Sequence, residues 1–573
     1  MTVFASEWHC FQEMSRNPAI ANLQKRFMRS PLRNPLATLA LRALLTYDAH
    51  LCAARRRRVS TSDQPSSLRL LSLGLTIVTL QASAQTCTVD WNDVHQRIDG
   101  FGASCAFSGR TWASYTANIF FSTSNNVVYL DRSGNLYTNN GLGLSLLRNQ
   151  IQPGGTVDAS ELSLMKLVQP LGARIWSTPW SPQASFTSNN TTVGSWFAAT
   201  NSKAYAAQLA NYVVTNQQFN GITIYAVSIQ NEPDANVSYT SCHWTPQEIH
   251  DFATNLYNAF QASNVISTKV MLPEDESWQT NLYLTTMSDP NAAADVGIIA
   301  NHNYVADNLH GDQNPPAALP SYGKPLWETE VSTLSSPGFT NYFDPSITNA
   351  MYWATRIHLF MTVAQANAWH YWYLITGTTP SDNEGLMGTG DIRSKRMFAV
   401  GQFSRFIRPN YYRIGATNDN TGILISAYKD SASPAFAIVA INTNASTDIS
   451  QTFNLTNFNT ASVTPWMTTS NLSLESQGTV TVSGASFNYT LPAMSVVTFV
   501  GQATVTPTLQ ITGSGNMVTV YWQNASGWTL RQNSDLANSN GWTLNTSWTN
   551  SNGSNYLNLT PATGNSYFRL SNP

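Results

Sequence analysis

The chain has 573 residues, 42% hydrophobic and 11% aromatic but only 11% charged. This length exceeds one ordinary domain and suits a large barrel with one or two smaller β modules, with Asn, Thr, Ser and Gln left to build the polar surface. Residues 1–84 carry 11 Lys and Arg against 4 Asp and Glu, and residues 85–573 carry 19 against 28; the main part is strongly acidic, which argues against a nucleic-acid partner.

The basic excess has a simple source. Arg55 to Arg58 and Arg69 precede the apolar run Leu70 to Leu80, which is followed by Ala82-Ser83-Ala84 and Gln85. This is the layout of a signal peptide with cleavage after Ala84, and the run is too short to span a bilayer. Residues 1–50 precede that layout and read either as a start codon set too early or as an unusual leader. The expected location is outside the cell, with the periplasm or cell surface as alternatives. Three cysteines follow the cleavage point, Cys87, Cys105 and Cys242; a Cys87–Cys105 bridge and buried free thiols are both open, and no disulfide scaffold is expected.

From residue 100 to about 408 short apolar runs alternate with helical stretches, the pattern of βα units. The predicted strands are Gly100–Ser104, Leu142–Gln150, Ala173–Trp180, Ile222–Gln230, Lys269–Pro273, Val296–His302, Pro325–Glu330 and Ala368–Ile375. Eight such runs fit a closed (β/α)₈ barrel, and no phosphate-cradling glycine loop follows the early ones. Helical periodicity is clear over 201–217 and 246–260, the second opened by a capping box of Thr245 and Glu248 with Pro246 at its first position. The segment 231–244 is thereby placed in a βα loop.

Helical signals stop after Arg408-Pro409. Residues 409–500 alternate as a side β-sandwich, with strands at Gly422–Tyr428, Ala435–Asn442, Gly478–Val482 and Ser495–Val500, and 85–99 is available to add a strand. Residues 501–509 read as a linker and 510–573 as a small all-β module, whose aromatic residues either form a binding face or fill its core.

The mouth of a (β/α)₈ barrel, at the carboxyl ends of its strands, is where a site is expected. Two carboxylates end predicted strands there: Glu232 in Gln230-Asn231-Glu232-Pro233, after the fourth, and Glu330 in Trp327-Glu328-Thr329-Glu330, after the seventh. Two strands separate these, so their ends can face each other. A pair of carboxyl groups supplies what glycosidic hydrolysis needs, a proton for the leaving oxygen and negative charge at the anomeric carbon. The bland alternative for 231–234 is a solvated polar turn. Glu328 is a rival to Glu330 because strand alternation puts both on one face, while Glu274, Asp275 and Glu276 read as rim charges.

Asn231 is placed to meet a sugar hydroxyl or the partner acid. Trp180, Tyr304, Trp372 and Tyr373 are candidates for stacking on pyranose rings, with Trp112 a further substrate-binding candidate beyond the first strand; Trp176 and Trp369 fit core filling better. His302 is expected to hydrogen-bond within the site rather than to hold a metal, since no second ligand has suitable spacing. No cofactor is implied, and a monomer is expected. A Ser-His-Asp hydrolase lacks its Gly-x-Ser-x-Gly elbow; a non-catalytic carbohydrate-binding protein would need the aromatic residues but not two opposed acids.

Six stretches, GFGAS, ARIWSTPWSP, IYAVSIQNEPD, YTSCHWTPQEI, LWETEVS and FSRFIRPNYYRI, make residues 87–500 resemble glycoside hydrolase family 30, especially its bacterial xylanase branch. The resemblance implies a retaining enzyme with a (β/α)₈ barrel and a side β-sandwich, and endo-hydrolysis of β-1,4-xylan of the plant cell wall. By motif, Glu232 is implied as acid/base, Glu330 as nucleophile, and Trp180, Asn231 and Tyr304 as cleft residues. Other activities of the family, on β-1,6-galactan or β-1,6-glucan, are the alternatives. One stretch departs from the pattern. Glucuronoxylan-specific members carry arginine just after the eighth strand, where this chain has Thr376 and Gly377, which cannot grip a carboxylate. Weak or absent dependence on glucuronate branches is therefore expected, unless Arg393 folds back to substitute.

Overall fold

The computed structural model describes residues 85–278, 282–305, 308–312, 321–332, 343–375, 384–525, 527–551, 554–560 and 564–572. The leader and signal sequence read in residues 1–84, and Thr376 and Gly377, lie outside them. No helix among the described residues is long and apolar enough to cross a membrane.

Eight parallel strands close into a ring: Gly100–Ser104, Leu146–Ile151, Arg174–Pro179, Ile224–Ser228, Lys269–Asp275, Val296–Asn301, Leu326–Glu328 and Ala368–Ile375, the last pairing back onto the first. All eight correspond to the apolar runs read from the sequence. Those runs are continuous because a barrel strand is buried on both faces: the inner face meets a small cluster containing Trp176, Met271, Ile298 and Trp327, and the outer face meets the surrounding helices. Trp176 and Trp327 meet edge to face at 6.1 Å inside the ring, and Trp327 donates its indole N–H to Asp99 at 2.9 Å. The helix Pro246–Ala262 opens with the capping box on Thr245 and Glu248, which ends the loop bearing Glu232 where the sequence places its end.

The side domain is one ten-stranded sheet curled around its own core rather than two separate sheets. Phe499 and Phe453 lie on strands far apart in the hydrogen-bonding order, yet their rings are 5.0 Å apart across the fold. Gln85–Arg97 enters this sheet, antiparallel to Tyr412–Asn418 and parallel to Ile449–Thr456. The strand Ala435–Asn442 is apolar from Ala435 to Ile441 because it too is buried on both sides. Phe436, Ile438 and Ala440 face the curled core, while Ala437, Val439 and Ile441 face the barrel's helices. Polar ties reinforce that seam: Thr498 Oγ1 donates to the Gln402 carbonyl at 2.8 Å, and Gln402 Nε2 donates to Thr468 Oγ1 at 2.9 Å.

Residues 501–509 are not a free tether. Strand Ser495–Gln502 runs into them, Ala503 and Val505 are buried in the curled core, and Thr504 pairs with Asn459. Alternating small apolar residues bury one side of this segment, and its many threonines disguise it as a linker. The described residues between 510 and 571 form a four-stranded and a three-stranded sheet around Val520, Trp522, Leu530 and Leu557. Cys87, Cys105 and Cys242 are buried free thiols, so no Cys87–Cys105 bridge forms.

Candidate active site

The fourth strand ends at Ser228, and a polar turn carries the chain on to Glu232. That turn is pinned to the end of the third strand: Asn231 N–H donates to the Pro179 carbonyl at 2.9 Å, and Gln230 Nε2 donates to the Trp180 carbonyl at 2.7 Å. Glu232 has φ 44°, in the left-handed region, as does Glu274 at φ 58°. Such backbone costs about 1–3 kcal/mol per residue and persists only where the surroundings hold it. A bond from Glu232 N–H to the Glu274 carbonyl at 3.0 Å joins the two positions. Glu330 lies two residues beyond the seventh strand, its carbonyl accepting from Asn303 N–H at 3.2 Å.

These turns surround a fully buried arginine. Arg148, on the second strand, donates to Glu330 Oε2 and to Asn231 Oδ1 at 2.6 Å, and forms an ion pair with Glu274 Oε1 at 3.0 Å. Its guanidinium carbon is 4.5 Å from the centre of the Trp180 ring and 5.3 Å from that of Trp372. Burial works against the charge on Arg148, but Glu274 and Glu330 more than offset it. Burial would likewise raise Glu274, yet Arg148 and His302 bring it down to about 2. Burial also pushes Glu330 above its ordinary value, and the charge of Glu232 adds to this, while His302 and Arg148 oppose both.

His302 is the second buried cation. Nδ1 lies 2.9 Å from Glu232 Oε1, and Nε2 lies 3.5 Å from Glu274 and 3.8 Å from Glu330. Burial favours the neutral ring, but Glu330, Glu232 and Glu274 raise the imidazole to about 10. Two phenols complete the set. Tyr304 donates to Glu330 Oε1 at 2.9 Å, and Tyr239 donates to Glu232 Oε2 at 3.2 Å. Both phenols are held protonated, by burial first and then by the neighbouring acids.

Glu232, His302 and Glu330 each offer an atom within 4.8 Å of the others. The three could in principle ligate a cation, a grouping that sequence spacing did not reveal. Arg148 already donates to Glu330 and stands 3.4 Å from His302, supplying positive charge at the same place. A cleft of about 370 Å³ opens above the two acids, lined by Phe107, Trp180, Asn231, Tyr239, Tyr304 and Trp372 among others.

Of the residues singled out by sequence, Glu232, Glu330, Asn231, Tyr304, Trp180, Trp372 and Tyr373 line this cleft, and His302 lies between the acids. Trp112 does not: it is buried in the core between strands and helices, with the Arg110 guanidinium 4.9 Å from its ring. Trp176 and Trp369 are core residues. Glu328 is buried where it accepts from His370 N–H at 3.1 Å, and desolvation keeps its carboxyl well above the usual range. Glu274 and Asp275 are not rim charges, since both are fully buried. The strand register is irregular between Pro273 and Asp275, which turns Glu274 toward Arg148. Sequence reasoning missed Arg148, Tyr239 and Phe107. A lone arginine inside the apolar run at 142–151 was the available signal for the first, and the place of Tyr239 at the head of YTSCHWTPQEI for the second; nothing local marks Phe107.

Two carboxyl groups converging under aromatic rings at the mouth of a (β/α)₈ barrel define a glycoside hydrolase. The family model for the glycosyl hydrolase family 30 TIM-barrel domain matches residues 161–315. The chain is 32% identical over 328 residues to glucuronoxylanase XynC of Bacillus subtilis (strain 168), covering 56% of this chain and 71% of that protein. It also superposes on the family 30 subfamily 8 xylanase Xyn30A of Clostridium acetobutylicum with TM-score 0.61 and 30% identity, covering 73% of this chain and 99% of the other. For a family 30 endoxylanase of Clostridium papyrosolvens C71 the values are 0.59 and 31%, covering 73% and 100%. The chain belongs to glycoside hydrolase family 30, and it is a glycosidase.

The charge network predicts a stability profile. Glu274 has a folded value near 2 against an ordinary 4.5, so its contribution is present above about pH 4.5 and is lost as pH falls through 2. His302, raised from 6.5 to about 10, contributes fully below 6.5 and loses that contribution as pH rises through 10. Glu274→Gln should lower stability at neutral pH by about 3–5 kcal/mol, as breaking one side of a buried pair does, and should flatten the acid limb. Thermal midpoints from pH 2 to 10 check this; an unchanged acid limb in the variant would contradict it.

Proposed function

We propose that the chain is a retaining endo-β-1,4-xylanase, exported from the cell, with Glu330 as nucleophile and Glu232 as acid/base. The observation that carries this reading is the approach of the two carboxyl groups, an oxygen of each lying within 4.8 Å of the other. Retaining enzymes place the groups about 5–5.5 Å apart, and inverting ones about 6.5–9.5 Å, to admit a water between them.

Each acid has a cation at one oxygen and a phenol at the other, Arg148 and Tyr304 for Glu330 and His302 and Tyr239 for Glu232, so the division of roles rests on the motifs in which the two acids stand. The cluster of Glu232, Glu274 and Glu330 has three acids for the two cations Arg148 and His302. The first step needs a proton on Glu232. In the first step Glu330 forms a bond to the anomeric carbon as the glycosidic C–O bond breaks, and the Glu232 proton passes to the leaving oxygen. In the second, Glu232 takes a proton from water, whose oxygen bonds to the anomeric carbon and releases Glu330. The Trp180 and Trp372 rings offer apolar faces for pyranose rings, and Asn231 addresses a hydroxyl.

Xylan is supported by the relatives, a glucuronoxylanase, a xylanase and an endoxylanase. Independence from glucuronate branches is supported by charge. No Lys or Arg is among the described residues lining the cleft, whose charged side chains are Glu232, Glu330 and Glu384. Residues 376–383 contain no Lys or Arg either. Arg393 is engaged elsewhere, donating to Asn139 Oδ1 at 2.7 Å with its guanidinium 3.8 Å from the Tyr137 ring centre; this counts against its substituting for the missing arginine.

Glu330→Gln should abolish turnover, while Glu232→Gln should reduce kcat about 10²–10⁴-fold on a substrate with a poor leaving group and less on one with a good leaving group. Proton NMR of the first product should show the β anomer; an α anomer would establish inversion. On a panel of unbranched xylan, arabinoxylan, glucuronoxylan, β-1,6-glucan and β-1,6-galactan, the xylans should be cleaved at comparable rates. A strict need for glucuronoxylan, or cleavage confined to a β-1,6 polymer, would overturn the specificity.

A further inference from the structure

A second concavity, about 960 Å³ in volume, lies between the curled sheet and the C-terminal module. Its volume is at the upper end of the roughly 300–1,000 Å³ seen for ligand pockets. Nothing in the catalytic reading uses it.

Its lining restricts what it can hold. The charged side chains are Lys429 and Asp430, adjacent and opposite in sign. Lys429 is committed: its Nζ donates to the Trp91 carbonyl at 2.8 Å and sits 5.0 Å from the Trp91 ring centre. With its amide oxygen turned inward, Gln523 accepts from Trp91 Nε1 and from Lys429 Nζ, so the module and the sheet share one polar floor. An anionic ligand would find no uncommitted cation here, and a lipid tail would find the apolar surface broken by Asn457, Asn459, Asn524 and Thr508. Aromatic rings interspersed with neutral amides and hydroxyls suit one ligand class well, a neutral polyhydroxylated chain. Amide and hydroxyl groups pair with its hydroxyls, and ring faces cover its C–H surfaces.

Tyr521 supplies a prepared ring. It is half-buried in the wall and stacks on its cross-strand partner Tyr556 at 6.0 Å with 15° between planes. Strand alternation turns the next residue, Trp522, into the module core. The ring is therefore fixed before any ligand arrives, which lowers the entropy lost on binding.

We propose that this groove is a second carbohydrate site, holding a stretch of the neutral polysaccharide while another stretch occupies the catalytic cleft. The choice of xylan as ligand rests on the function proposed above. The test uses the full chain carrying Glu330→Gln, so that bound polymer is not cut, in sedimentation with insoluble xylan. Adding Tyr521→Ala, or Thr508→Trp to fill the groove, should weaken binding at least tenfold. With Glu330 restored, the same two substitutions should leave hydrolysis of a short soluble xylo-oligosaccharide unchanged. Equal retention of parent and both variants would overturn the proposal, as would a parent that cuts xylan but is not retained by it; in either case the catalytic reading stands. Retention that depends on Tyr521 without any cleavage by the Glu330 protein would keep the groove and remove the catalytic reading.

Discussion

The site is organised around a positive charge that has no access to water. Arg148 is buried in the barrel mouth, and the cost of removing a guanidinium from solvent is offset only because Glu274 and Glu330 are held against it. The three groups fix one another. The guanidinium fork orients Glu330 through one nitrogen and meets both Asn231 and Glu274 through the other, and Trp180 and Trp372 pack around the charge without competing for its donors. A neutral residue at 148 would leave three acids around His302 alone. A cluster of that charge would have to take up protons, and Glu330 would be among the groups to do so.

Position within this network depends on the scaffold at two levels. The ring of parallel strands delivers Arg148, Glu232, Glu274, His302 and Glu330 from five different strands or the turns that follow them. The two left-handed residues, Glu232 and Glu274, then aim their side chains inward where regular strand geometry would not. The curled sheet acts at a distance, its double-buried strand Ala435–Asn442 packing against the helix Ile347–Leu359 that leads into the eighth strand. Backbone strain at the mouth is thus tolerated by a frame whose core is tightly filled.

Much of this was legible in the sequence, for identifiable reasons. Strands buried on both faces leave continuous apolar runs, so the eight barrel strands could be read directly. Glu232 and Glu330 stood out because each follows such a run in a chain poor in charge. Arg148 was overlooked because periodicity arguments treat a lone charge in an apolar run as noise, although an arginine there requires a buried acid. Glu274 was misread as a rim charge because its inward turn comes from a strand irregularity, which alternation does not encode. Trp112 was misplaced because an aromatic side chain near a strand end can serve core or cleft equally well. The segment 501–509 was misread because its burial depends on Asn459 and the sheet core, which lie far off in sequence.

The central claim is that Arg148 and Tyr304 hold Glu330 as the group that bonds to sugar. The most direct test is to trap that bond with a 2-deoxy-2-fluoro-β-xylobioside bearing a good leaving group, so that formation of the intermediate outpaces its hydrolysis, and to locate the adduct by peptide mass spectrometry. The account predicts one fluoroxylobiosyl unit on the peptide containing Glu330, at that residue. An adduct on Glu232, or none in protein that still turns over xylan, would contradict it.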